Sequence, residues 1–191
     1  HGIIPATAAW TGAPERADAA ATDPWPGVAS AYLVRIDGEV RWAANDAARL
    51  KPASLTKMMT AVLVVEALAP SSEVVVSKRA ATADGVRLGL RSGMRLPVEH
   101  LLAAALLRPA NDACLALAER VAGSEAAFVA RMNERAAALG LADTHFANAC
   151  GFDAPDHYAS ARDLARLADA ALEKPRIAAI VSRESGTAKT S

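Results

Sequence analysis

From Ser54 to Leu68 the apolar residues Leu55, Met58, Met59, Val62, Val65 and Leu68 recur at helical spacing, and Leu63 and Val64 fill the gaps between them. Between Ala61 and Val65 such a helix is apolar all round, so it must be buried on most of its sides. That requirement governs everything else: other elements have to wrap one central helix. Pro70 ends the segment, and Glu66 is the one charge in its last turn.

The flanking sequence predicts what does the wrapping. Ordered structure is expected from Val28 onward. Ala31–Ile36 and Val40–Ala44 flank Asp37-Gly38, a turn dipeptide that accepts positive φ, which predicts a β-hairpin. Val74–Val76 is a short strand candidate, and Thr82–Arg95, with Gly85, Gly89 and Gly93, reads as a loop. Helices are predicted over 98–107, opened by Pro97, over 111–121, ended by Gly123, and over 124–139, with Ser124 as cap and Gly140 after the last turn. Ser160 to Asp163 resembles a capping box with a shortened acid and opens a helix to about Leu172; Pro175 starts a last helical turn or two. The class is α+β, with a helical part inserted between sheet elements and an antiparallel sheet that two strands leave incomplete. Residues 1–27, rich in Ala, Thr, Gly and Pro without periodicity, read as a flexible N-terminal segment, and 28–191 as the folded domain.

Charge and cysteine usage narrow the function classes. Twenty-one basic residues balance twenty-one acidic ones, so no electrostatic footprint for nucleic acid or an anionic membrane is visible. No apolar run reaches the ~20 residues of a membrane-spanning helix. Cys114 and Cys150 are too few for a disulfide framework; they read either as two buried thiols or as a single bridge in an oxidising compartment. His145 and His157, with Cys150 and Asp153 between them, match no usual ligand spacing, so neither a metal nor a cofactor is expected.

Ser54 and Lys57 lie three residues apart at the start of the central helix, on one face. A serine hydroxyl is a weak nucleophile until a base takes its proton, and a lysine becomes that base when burial lowers its pKa. The apolar helix behind Lys57 supplies such a setting, and N–H groups at a helix start favour a developing anion. Alone the pair is weak, since roughly one Ser-x-x-Lys arises by chance in a chain of this length. The segment Lys51-Pro-Ala-Ser-Leu-Thr-Lys-Met-Met-Thr60 around it is more specific: it resembles the nucleophile segment of the penicillin-recognising D-alanyl-D-alanine carboxypeptidases. The resemblance runs from about Ala31 to Val181. Leu106 to Ala113, with Asn111, resembles their second motif, Ser-x-Asn. Thr144 to Gly151 and His157 to Leu164 are similar to the segment that follows it.

The resemblance implies a β-lactamase/transpeptidase-like fold, of which this chain carries the N-terminal portion. It implies Ser54 as nucleophile, Lys57 as base and Asn111 orienting the lysine or the substrate, although Asn111 also reads as a helix N-cap. The substrate would be a peptidoglycan stem peptide losing its terminal D-Ala through an acyl-enzyme, β-lactams would acylate the same serine, and the location would be periplasmic or secreted. Two positions depart from the pattern. Pro109 stands where the second-motif serine is expected. Lys189-Thr190-Ser191 resembles the third motif, Lys-Thr-Gly, only by letters and reads as incidental, so residues 1–191 alone are expected to show little or no activity. Cys114 falls on the helix after the second motif and Cys150 in the 148–151 loop; if those segments pack together, a bridge would pin the helix beneath the site. Two alternatives compete. A serine β-lactamase of class A needs a Glu-x-x-x-Asn that is missing between Asn111 and Ser191. A non-catalytic wall-binding relative would fit Pro109.

Overall fold

The computed structural model describes residues 26–183. Lys189 and most of the 1–27 segment lie outside the described residues. The central helix, α1 (Lys57–Ala67), is preceded by a single 3-10 turn over Ala53–Thr56, so the predicted helix start is there but is wound more tightly than an α-helix. Met59, Ala61, Val62 and Val64 are fully buried, and Leu63 and Val65 are half-buried. The all-round apolar run therefore does what its composition demands. Five helices surround it: α3 (Val98–Leu107), α4 (Asn111–Ala122), α5 (Glu125–Ala138), α6 (Ala161–Leu172) and α7 (Pro175–Val181). Phe128, Met132, Leu117 and Leu167 fill the core between them, each contributing about 1.5–3 kcal/mol by leaving water.

The hairpin forms from β1 (Tyr32–Ile36) and β2 (Glu39–Ala44), antiparallel, with a register shift between Val34 and Arg35. Asp37 and Gly38 both take positive φ, 53° and 85°, the type I′ combination that Asp-Gly favours. Along β2 exposed and half-buried residues alternate, as in a strand with one covered face. The hairpin lies against α6, where Arg35 makes a two-pronged ion pair with Asp169. A second antiparallel pair joins β3 (Glu73–Val75) to β4 (Arg95–Pro97), with Val74 opposite Leu96. Here the sequence reading was short on two counts. Arg95 belongs to a strand rather than the loop, and a one-turn helix, α2 (Lys78–Ala81), follows its Ser77 cap. Neither segment carries an apolar run like that of Val74–Val76, and so short a stretch offers little periodicity in its place.

Caps behave largely as their residue types predict. Gly123 closes α4 at φ 79°, and the Ser124 hydroxyl accepts from Ala127 N–H at the start of α5. Ser160 caps α6 through Asp163 N–H at 3.1 Å. Asp163, however, does not complete a capping box: its carboxylate accepts from Asp143 N–H and the Thr144 hydroxyl and so ties the preceding loop to α6. Among the described residues no helix is long and apolar enough to cross a membrane.

Candidate active site

Three segments meet at the start of α1: the 3-10 turn that carries Ser54, the 148–151 loop, and the start of α4. The turn is set by its neighbours. Pro52 is buried, and Ala53 takes a left-handed conformation at φ 47°, which costs a residue with a Cβ about 1–2 kcal/mol. Gly151 presses on that turn. A Cβ at Gly151 would lie 1.9 Å from the Ala53 carbonyl oxygen, and its φ is 91°, so only glycine fits. The bend at Ala53 turns the following serine outward: Ser54 is exposed, while Lys57, one turn on, is 2% exposed.

The Lys57 amine donates to Ser54 Oγ at 3.2 Å and to the Cys150 carbonyl at 2.6 Å. Burial disfavours its charge and pushes its pKa down from 10.5 to about 8. An amine in this state loses its proton within reach of neutral pH while it touches a serine hydroxyl, an arrangement able to take that hydroxyl's proton. The 148–151 loop that supplies the carbonyl is held from inside and outside. Asn148 Oδ1 accepts from the N–H groups of Cys150, Gly151 and Phe152. Thr60 donates to the Ala149 carbonyl at 2.6 Å, and Ala149 N–H donates to Glu125 at 3.0 Å. Cys150 is joined by a disulfide to Cys114 of α4, with Cα atoms 6.0 Å apart. The two cysteines thus form the bridge rather than two thiols.

Asn111 opens α4 but does not cap it; the capping position is Ala110. The Asn111 amide donates to the Asp84 carbonyl at 2.8 Å, and its hydrogen bonds among the described residues include neither Ser54 nor Lys57. The structure therefore brings Ser54 and Lys57 together and sets Asn111 beside the 84–90 loop, its amide oxygen without a donor among the described residues. Pro109 is exposed two residues before it. Asp112, which sequence reasoning passed over, is fully buried. Its carboxylate accepts from the N–H groups of Leu88, Gly89, Leu90 and Ala113 at 2.9–3.1 Å. An acid beside a glycine-bearing loop was the available signal, but the 22–24 residues between them hid the pairing.

His157 supports the serine turn from below. Ala147 N–H donates to His157 Nδ1 at 2.9 Å, so the neutral ring carries its proton on Nε2 and donates to Thr56 Oγ1 at 2.8 Å. Burial first, and the neighbouring His145 second, lower its pKa, against a smaller opposing pull from Asp153. His145 Nδ1 pairs with the Asp156 carbonyl instead, and no group of three or more metal-ligating side chains occurs among the described residues. Arg95 pairs with Glu73 at 2.5 Å. A cleft of about 450 Å³ beside the turn is lined by Arg49, Lys51, Asp153 and Tyr158; Ser54 and Lys57 do not line it.

Comparison with known proteins gives this geometry a context. The family model described as D-alanyl-D-alanine carboxypeptidase, Peptidase S11, matches residues 21–190. The chain is 40% identical over 145 residues to D-alanyl-D-alanine carboxypeptidase DacF of Bacillus subtilis, covering 73% of this chain and 37% of that protein. It is 40% identical over 144 residues to D-alanyl-D-alanine carboxypeptidase DacA of Escherichia coli, covering 70% and 36%. Among solved structures, penicillin binding protein 6B from Escherichia coli superposes with a TM-score of 0.73 at 35% identity, covering 78% of this chain and 51% of that one. The fold is therefore the transpeptidase fold of the penicillin-binding proteins. The chain spans little more than a third of the length of these curated relatives.

Proposed function

Since the chain belongs to the D-alanyl-D-alanine carboxypeptidase family, we propose that the protein it comes from is a serine D-alanyl-D-alanine carboxypeptidase acting on peptidoglycan stem peptides, with Ser54 as nucleophile and Lys57 as base. The observation that carries this reading is the contact between an exposed serine and a buried, pKa-lowered lysine, 3.2 Å apart one turn along the same helix start. Neutral Lys57 keeps one N–H on the Cys150 carbonyl and turns its lone pair to the Ser54 hydroxyl. As Ser54 Oγ attacks the carbonyl of the penultimate D-Ala, its proton passes to Lys57. The bond to the terminal D-Ala then breaks, and Lys57 returns the proton to the departing amine. Water hydrolyses the ester on Ser54 with the same lysine as base. A β-lactam carbonyl is attacked in the same way, but its leaving nitrogen stays tethered in the acyl-enzyme.

Asn111 contributes an amide oxygen for a substrate N–H, while its own N–H stays on Asp84. Pro109 has no hydroxyl to share the proton, so Lys57 carries the transfer directly or through water. The Cys114–Cys150 disulfide supports a location outside the cytoplasm, in the periplasm or secreted. Labelling of the full-length protein with fluorescent penicillin tests the proposal. A long-lived adduct is expected, and Ser54→Ala is expected to abolish it. An adduct that survives this substitution overturns the assignment. Rapid release of hydrolysed antibiotic would identify a β-lactamase, and no labelling at all would identify a non-catalytic wall-binding relative.

A further inference from the structure

Among the described residues the Lys57 amine has one acceptor besides Ser54 Oγ, the main-chain carbonyl of Cys150 at 2.6 Å. How well the lysine aims at Ser54 depends on what keeps that carbonyl in place. The three bonds to Asn148 Oδ1 are internal to the loop, so they make it stiff but let it move as a unit. Thr60 and Glu125 attach the loop at Ala149, one residue before. Apart from its N–H on Asn148 and its carbonyl on Lys57, Cys150 is held through its side chain, by the bond to Cys114 in the first turns of α4, where its sulfur also lies 3.8 Å from the Asn111 carbonyl; both cysteines are buried. Without that link the Cys150 carbonyl would be held chiefly by the lysine it is meant to orient.

We propose that the Cys114–Cys150 bridge is a positioning device for Lys57: by tying the 148–151 loop to α4 it keeps the Cys150 carbonyl as a fixed acceptor and keeps water away from the amine. The inference rests on the reading of Ser54 and Lys57 as nucleophile and base. Among the described residues, no hydrogen bond or ion pair joins Lys57 to a charged group of the elements packed around α1. Asp112 of α4 holds backbone N–H groups of 88–90, Glu125 of α5 holds Ala149 and Arg79, and Asp163 of α6 holds Asp143 and Thr144. Arg176 of α7 pairs with Glu99 of α3, and His157 bonds Thr56 and Ala147. Among the described residues Lys57 thus has no charged partner, and burial is the cause of its lowered pKa. A loosened loop that admits water removes that cause.

The test compares the oxidised full-length protein with the C114A/C150A variant and with wild type reduced by a dithiol. In that reduction the sulfur–sulfur bond is replaced by two thiols and the reagent closes to its own cyclic disulfide. Three quantities are read: retained fold by circular dichroism and Tm, the Lys57 titration midpoint by NMR of ¹³Cε-labelled lysine assigned with Lys57→Arg, and the rate of acylation by fluorescent penicillin. The expected result is a Lys57 midpoint that rises from about 8 toward 10.5 when the bridge is open. Acylation at pH 8 should slow by roughly tenfold or more, as expected for a misplaced base, and reoxidation should restore both. A folded open form with unchanged midpoint and rate overturns the proposal, even if its Tm is lower. Two free thiols in unreduced protein do the same. If the oxidised protein never acylates yet its Lys57 midpoint still follows the bridge, the positioning role stands and the assignment of function falls.

Discussion

At the scale of single residues, the site is defined by how one amine is kept out of water. Lys57 sits one turn after an exposed serine, yet is itself buried because α1 lies in the middle of the helical layer. The same burial makes the charged lysine a liability to the fold. Its pKa is about 8 when folded against 10.5 otherwise, so the unfolded chain binds more protons between those values. Stability contributed by neutral Lys57 is therefore present above pH 10.5 and is lost as pH falls to 8. With Lys57 as the proposed base, the rate of Ser54 acylation should rise through about pH 8 as the amine loses its proton. A stopped-flow pH profile of penicillin acylation checks this, and a rate flat from pH 6.5 to 9.5 would remove Lys57 as the base.

At the scale of elements, the proposed chemistry depends on two short connections rather than on the helices they join. The Ala53–Thr56 turn and the 148–151 loop are in such close contact that Gly151 leaves no room for a side chain against the Ala53 carbonyl. Gly151→Ala adds a backbone clash to an unfavourable positive φ and should cost about 3–5 kcal/mol. Denaturant unfolding measures it; a loss under about 1 kcal/mol would mean the two segments part more easily than their packing indicates. Four of the helices around α1 were readable because 10–14 residues carry a period and Ser, Gly or Pro marks their ends, and the seven-residue α7 was readable from its Pro175 start. The one-turn α2 and the strand β4 were not, since four residues make barely one helical turn and three residues only one and a half strand repeats. Asp163 shows the other limit: the local pattern suggested a capping box, and a loop twenty residues away won its carboxylate.

At the scale of the whole molecule, long-range polar contacts couple stability to acid. His157 receives Ala147 N–H on Nδ1 and reaches Thr56 through Nε2, so protonation would place two donors face to face. Its folded pKa lies below the ordinary 6.5, mainly through burial, so stability is full above pH 6.5 and is lost as pH falls through the lowered value. Thermal midpoints measured from pH 8 down to 5 should fall below about 6.5, and His157→Asn, which keeps the acceptor for Ala147, should flatten that slope. An unchanged slope would remove His157 as the source. Sequence alone determined the buried central helix, the hairpin, the helix order and the Ser54–Lys57 spacing, because each follows from local periodicity, turn chemistry or three residues of chain. Tertiary structure alone decided that Cys150 lies against both Cys114 and Lys57, that Gly151 abuts Ala53, that Asp112 gathers the 88–90 loop, and that Asn111 bonds Asp84 rather than the lysine. Those contacts join residues 22–98 positions apart, and their energies depend on burial and distance, which exist only once the chain has closed on itself.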